Sequence, residues 1–107
     1  MKIEPKRITE TIDDLGPVHL RALGARHFAD IYDRFHDLNG TPAGGKQALD
    51  MYVHLLSACL IDHEGNRTHD TDAGRDELAD LPWGVLVQLG TAAMRLNGML
   101  EEKKTDT

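Results

Sequence analysis

Residues 47–61 are apolar on nearly every side. Leu49, Met51, Tyr52, Val53, Leu55, Leu56, Ala58, Cys59, Leu60 and Ile61 leave no polar stripe to face water. A helix without a polar face belongs at the centre of a small bundle or at an interface. The rest of the chain must therefore supply elements that wrap it, and 107 residues suffice for one domain rather than two. Asp50, His54 and Ser57 interrupt the run, which also falls short of the ~20 residues of a membrane span. No membrane partner is expected.

The wrapping elements are readable from period and punctuation. Ile8, Glu10 and Ile12 alternate with Thr9 and Thr11, and Val18, Leu20 and Ala22 repeat the period of two after Gly16-Pro17. That pattern predicts a β-hairpin over residues 8–23. From residue 24 the period lengthens. Phe28, Ile31, Tyr32, Phe35 and Leu38 share one face of a helix over residues 24–38, and Asn39-Gly40 can close it. The apolar helix follows over residues 47–61, then a tight polar turn with a vestigial hairpin at Asp62-His63-Glu64-Gly65-Asn66-Arg67.

Asp72 is expected to cap a short helix over residues 73–80 that turns Leu78 and Leu81 inward. Pro82 suits the first turn of a last helix over residues 82–97, with Val85, Leu86, Leu89, Ala92, Ala93 and Leu96 as its stripe. The expected fold class is mainly α (α+β): a small N-terminal β-hairpin followed by about four helices in a compact bundle. It forms a single domain over residues 1–100, with a charged tail at 101–107.

Charge narrows the function classes. Twelve Lys and Arg against 18 Asp and Glu give a net charge of −6, which argues against nucleic acid as a partner, since phosphate binding needs a basic face. The acidity is concentrated toward the C-terminus. The single cysteine, Cys59, allows no intramolecular disulfide and suits a reducing compartment. The start, Met1-Lys2-Ile3-Glu4-Pro5-Lys6-Arg7, lacks the apolar region of a secretory signal. A soluble intracellular protein is expected.

Candidate chemistry is sparse. Gly40-Thr41-Pro42-Ala43-Gly44-Gly45-Lys46-Gln47 spells the phosphate-loop pattern up to its last letter, but Gln47 replaces the hydroxyl that would hold Mg²⁺. The preceding segment also reads as a helix where that motif follows a strand, so a helix-to-helix loop is the simpler reading. Cys59, His63, His69 and Asp62 offer metal-ligand atom types without a recognised spacing. Asp62, Glu64, Asn66, Asp70 and Asp72 lack the Gly and Glu positions of a calcium loop. The histidines, six in all, are scattered, and Cys59 and His54 fall on divergent faces of one helix. Neither an enzyme nor a cofactor or metal site is expected. Surfaces remain: Trp83 and Tyr52, with Met51, Met94 and Met99, are side chains that interfaces favour.

The C-terminal half also carries a resemblance. Leu56-Ser57-Ala58-Cys59-Leu60-Ile61-Asp62-His63-Glu64-Gly65-Asn66-Arg67, then Asp70-Thr71-Asp72, Leu78-Ala79-Asp80-Leu81-Pro82, and a helix ending Ala93-Met94-Arg95-Leu96-Asn97-Gly98-Met99 resemble the tail assembly chaperones of long-tailed (siphovirus-type) bacteriophages and prophages. The likeness spans the last half of the chain and, more loosely, the hairpin and Leu20-Arg21-Ala22-Leu23. It implies a non-enzymatic chaperone that binds the phage tape measure protein and keeps it soluble until tail tube subunits polymerise. It also implies action in the cytoplasm of the bacterial host, absence from the mature virion, and a longer frameshifted form that reaches the tail tube protein.

An apolar helix richer than one small core needs provides for client binding or for a homo-oligomer. The expected client-binding residues are Met51, Tyr52 and Trp83. A small structural virion component and a cellular helical adaptor are the alternatives.

Overall fold

A computed structural model describes residues 5–35 and 45–98. Two strands open it, β1 (Arg7–Ile12) and β2 (Gly16–Arg21), followed by helices α1 (Ala25–Phe35) and α2 (Gly45–Cys59). A two-residue strand β3 (Leu60–Ile61) leads to α3 (Asp72–Ala79) and α4 (Trp83–Leu96). The α+β architecture of hairpin and four helices is the expected one. Residues 36–44, which hold the end of the helix expected over 24–38 and most of the phosphate-loop pattern, lie outside the described residues. So does the tail at 101–107.

The hairpin pairs antiparallel from Arg7 against Arg21 to Ile12 against Gly16. Asp14 (φ 74°) and Gly16 (φ +80°) both take left-handed backbone in the turn, a conformation that Gly adopts freely and Asp tolerates. The period of two sends Ile8 and Ile12 toward the helices and leaves Arg7, Thr9 and Thr11 exposed.

α2 is the hub. It packs against α1, α3 and α4, while α4 also lies against β1 and β2. The helix expected to run to residue 61 stops at Cys59 instead. Leu60 and Ile61 become strand, pairing with Leu20 and His19 to make a three-stranded sheet in the order β1-β2-β3. An apolar run buried on all sides has no period to separate helix from strand. The unpaired side of β2 supplies the backbone partners that draw these two residues out of the helix.

The polar turn then reverses the chain, bringing Ile61 against Arg67 in a single bridge. Asp62 organises it: its carboxylate accepts from the backbone N–H groups of Glu64 and Asn66, both at 2.9 Å. These bonds, chiefly that from Asn66, hold the Asp62 carboxyl below its ordinary range.

α3 corrects a cap. Thr71, in extended backbone, is the N-cap, and its hydroxyl accepts from Gly74 N at 3.0 Å. Asp72, expected to cap, stands one residue further on in the first turn. There its carboxylate suits the positive helix end and pairs with Arg75. A side chain at Gly74 would come within 2.7 Å of His69 Cα, so this residue lets α3 press against the preceding loop. In α4, Val85, Leu86, Leu89, Ala92 and Ala93 are buried as the stripe predicts, and Leu96 is half-buried.

The end of α4 is tied to two other elements by one side chain. Asn97 Oδ1 accepts from Leu23 N at 2.8 Å. Its Nδ2 donates to Ala93 O at 2.8 Å and lies 3.5 Å from Cys59 Sγ. The segment after β2, the end of α2 and the end of α4 thus meet at a single amide, and Gly98 (φ +75°) follows to end the helix.

Candidate functional site

The three side chains expected to meet a client do not share one fate. Met51 is completely buried at 0% exposure, beside Ile31 of α1 and Ala58. It contributes core rather than surface, because the α2 face that carries it is the one that α1 covers. Tyr52 and Trp83 do come together: their ring centroids lie 6.0 Å apart, edge to face at 61°. That is the arrangement aromatic quadrupoles favour.

Each ring position has an identifiable cause, one across the fold and one along the chain. Gly90 of α4 has no Cβ, and any Cβ there would overlap the Tyr52 ring. The glycine therefore opens a slot in which Tyr52 lies half-buried against α4. Trp83 begins α4 one residue after Pro82, which ends the α3–α4 turn. Its indole rests against Tyr52 on one edge and is 53% exposed. An indole this open carries a large apolar area in contact with water.

A second apolar feature, missed from the sequence, lies nearby along the chain. A hollow of about 200 Å³ opens between the hairpin turn, α3 and α4, lined by Leu15, Val18, Leu60, Leu78, Leu81 and Leu89 together with the bonded pair His69 and Glu77. Leu15 is 45% exposed at the tip of the turn. An apolar side chain in the polar run Asp13-Asp14-Leu15-Gly16 was the available signal. Leu81, on its wall, stands two residues before Trp83 in the chain.

A polar cleft of about 390 Å³ separates α1 from α2 and the loop before α3, with Arg34, Arg67, Arg75, His27 and His54 on its walls. Its floor is tightly bonded. Ser57 Oγ donates to His69 O at 2.7 Å and accepts from Arg75 Nη1 at 3.3 Å. Asp30 and Asp70 also line the cleft and offset its cations.

Cys59, His54 and His69 are each bonded within the fold. Burial pushes the Cys59 thiol up to about 11, against a smaller opposite effect of the Asn97 amide, so the thiolate nucleophile is scarce at neutral pH. His54 Nδ1 bonds to the carbonyl of Asp50 at 2.8 Å. His69 lies between the Thr68 hydroxyl at 2.7 Å and the Glu77 carboxylate at 3.3 Å, fastening the loop to α3. Among the described residues, no three His, Cys, Asp or Glu side chains gather to hold a metal ion. Where the phosphate-loop pattern enters the described residues, Gly45-Lys46-Gln47 forms the first turn of α2, and the nearest described residues before the pattern belong to helix α1.

Compared with known family models, curated proteins and solved structures, the chain matches none. The motifs behind the phage resemblance have plain structural duties here. The Asp62 turn builds the β3 reversal, and the Leu-Asn-Gly ending supplies the Asn97 tie. They define the scaffold, and the exposed Trp83 braced on Tyr52 is a separate feature mounted on it. No described helix is long and apolar enough to cross a membrane.

Proposed function

We propose that this protein is a non-enzymatic tail assembly chaperone of a long-tailed bacteriophage or prophage. It binds the tape measure protein in the host cytoplasm and keeps it soluble until the tail tube polymerises. The observation that carries the binding role is the exposed Trp83 indole braced against Tyr52. An exposed aromatic held in place loses little entropy on binding, and Trp and Tyr dominate the energetics of interfaces.

The client class rests on the resemblance of residues 56–67 and 93–99 to those chaperones. A long tape measure protein offers amphipathic helical segments, and such a helix can lay its apolar face over Trp83 and Tyr52. The longer frameshifted product would carry the same surface to the tail tube protein.

Co-expression with the longest helix-rich reading frame found beside this gene tests the reading. The wild-type chain should keep that client soluble and co-elute with it. Trp83→Asp, at an exposed position, should stay folded and lose most of the co-elution. A client that is soluble alone, or a folded Trp83→Asp variant that co-elutes unchanged, would overturn the proposal.

A further inference from the structure

The sheet has one long edge with no partner strand among the described residues, that of β1. Lys6 O accepts from Ala22 N at 2.8 Å, and bonding alternates along an antiparallel ladder. Lys6, Ile8 and Glu10 therefore direct their backbone groups to β2, while Arg7, Thr9 and Thr11 direct theirs outward. An exposed row of such donors and acceptors is a template for another strand. Beside it, β1 and α4 enclose a groove of about 290 Å³, lined by Glu10, Ile12, Val87, Gln88, Thr91 and Arg95. The groove gives room for side chains that an added strand would turn toward the helices.

We propose that this edge is a self-association surface, on which a second copy adds its own β1 antiparallel and fuses the two sheets across a two-fold axis. The sequence of the edge selects both the occupant and the register. With Ile8 on the axis, opposite itself, Arg7 faces Thr9 of the partner subunit and bonds to it through outward backbone groups. Lys6 then faces Glu10 of the partner subunit, and the symmetry makes this pair twice. Both are on the side that faces the groove, where Glu10 already lies.

Neighbouring registers that keep the apolar side inward fare worse. A shift of two residues one way sets Ile8 against Glu10, and a further two sets Glu10 against Glu10. A shift of two the other way opposes Arg7 to Arg7. Opposite charges across strands stabilise pairing and like charges oppose it, so the charge pattern of residues 6–10 complements itself in one register. Strand pairing over so few residues buries little area, so the dimer is weak and dependent on concentration.

Analytical ultracentrifugation of the full chain up to about 1 mM reads this directly. The wild type should move from monomer toward dimer. Lys6→Glu and Glu10→Lys should each weaken dimerisation by about tenfold or more, because each sets like charges opposite one another twice. Mixing the two variants should restore dimers, since every pair is then again of opposite charge.

Thr9→Pro removes an outward N–H while leaving the β2 ladder intact, and it should abolish association with the fold retained by circular dichroism. A wild type that stays monomeric throughout would overturn the proposal. So would single charge variants that dimerise like the wild type, or a mixture that gains nothing.

Discussion

The molecule has two apolar interiors of unequal weight. The larger joins Ile12 and Leu20 of the hairpin, Leu55, Leu56 and Cys59 of α2, Leu60 of β3, Leu78 of α3, and Leu86 and Leu89 of α4. The smaller consists of Ile31, Met51 and Ala58 beneath α1. Each large side chain removed from water contributes about 2 kcal/mol, so stability is concentrated in the first.

Tyr52, Leu23 and Met94 pack against both clusters, and Trp83 rests on Tyr52. The half-buried Tyr52 and the exposed Trp83 therefore sit at the seam between a strongly and a weakly buried region. The base of this pair is closely packed on the α4 side, where Gly90 receives the Tyr52 ring. The difference teaches that the scaffold and α1 need not share one stability.

That contrast can be broken by mutation. Leu56→Ala empties a fully buried position of the main interior and should cost about 3–4 kcal/mol in denaturant unfolding, with every element lost together. Ile31→Ala should cost about 2 kcal/mol and show itself as faster hydrogen exchange confined to α1. Equal and global loss in both variants would mean a single cooperative unit.

The weight of the main interior can be sharpened through pH. The Cys59 thiol titrates at about 11 when folded, against an ordinary value of 9.0. Between those values the unfolded chain has released the proton and the folded chain retains it. Stability is therefore full below about pH 9 and falls as pH rises toward 11, by about 2–3 kcal/mol. Cys59→Ala should lack that part of the alkaline slope in unfolding curves measured from pH 8 to 11, and an unchanged slope would show that the thiol is not sealed in the core.

The sequence exposed what is periodic and concealed what is not. α4 was legible because Val85, Leu86, Leu89, Ala92 and Ala93 recur at helical spacing, and β1 because its burial alternates. Leu60 and Ile61 were not, since a segment buried on all sides looks the same as helix or strand, and the partners that decided it, Leu20 and His19, lie 40 and 42 residues away.

The same reason hid the fate of Met51, which depends on where α1 docks. It also hid Asn97, whose amide joins groups 74 and 38 residues distant. Of the candidate site, the aromatic residue types were visible in advance. That Tyr52 and Trp83 touch required Gly90 to be placed opposite Tyr52, a long-range fact.

Trp83 is the only tryptophan in the chain and, being 53% exposed, reports on its own surface without a label. The most direct test of the account is therefore its emission during titration with the purified client. Burial under an apolar helix predicts a saturable shift to shorter wavelength, with the same midpoint as complex formation followed by an independent method. A complex that forms while Trp83 emission stays unchanged would contradict the claim that this residue is the centre of the binding surface.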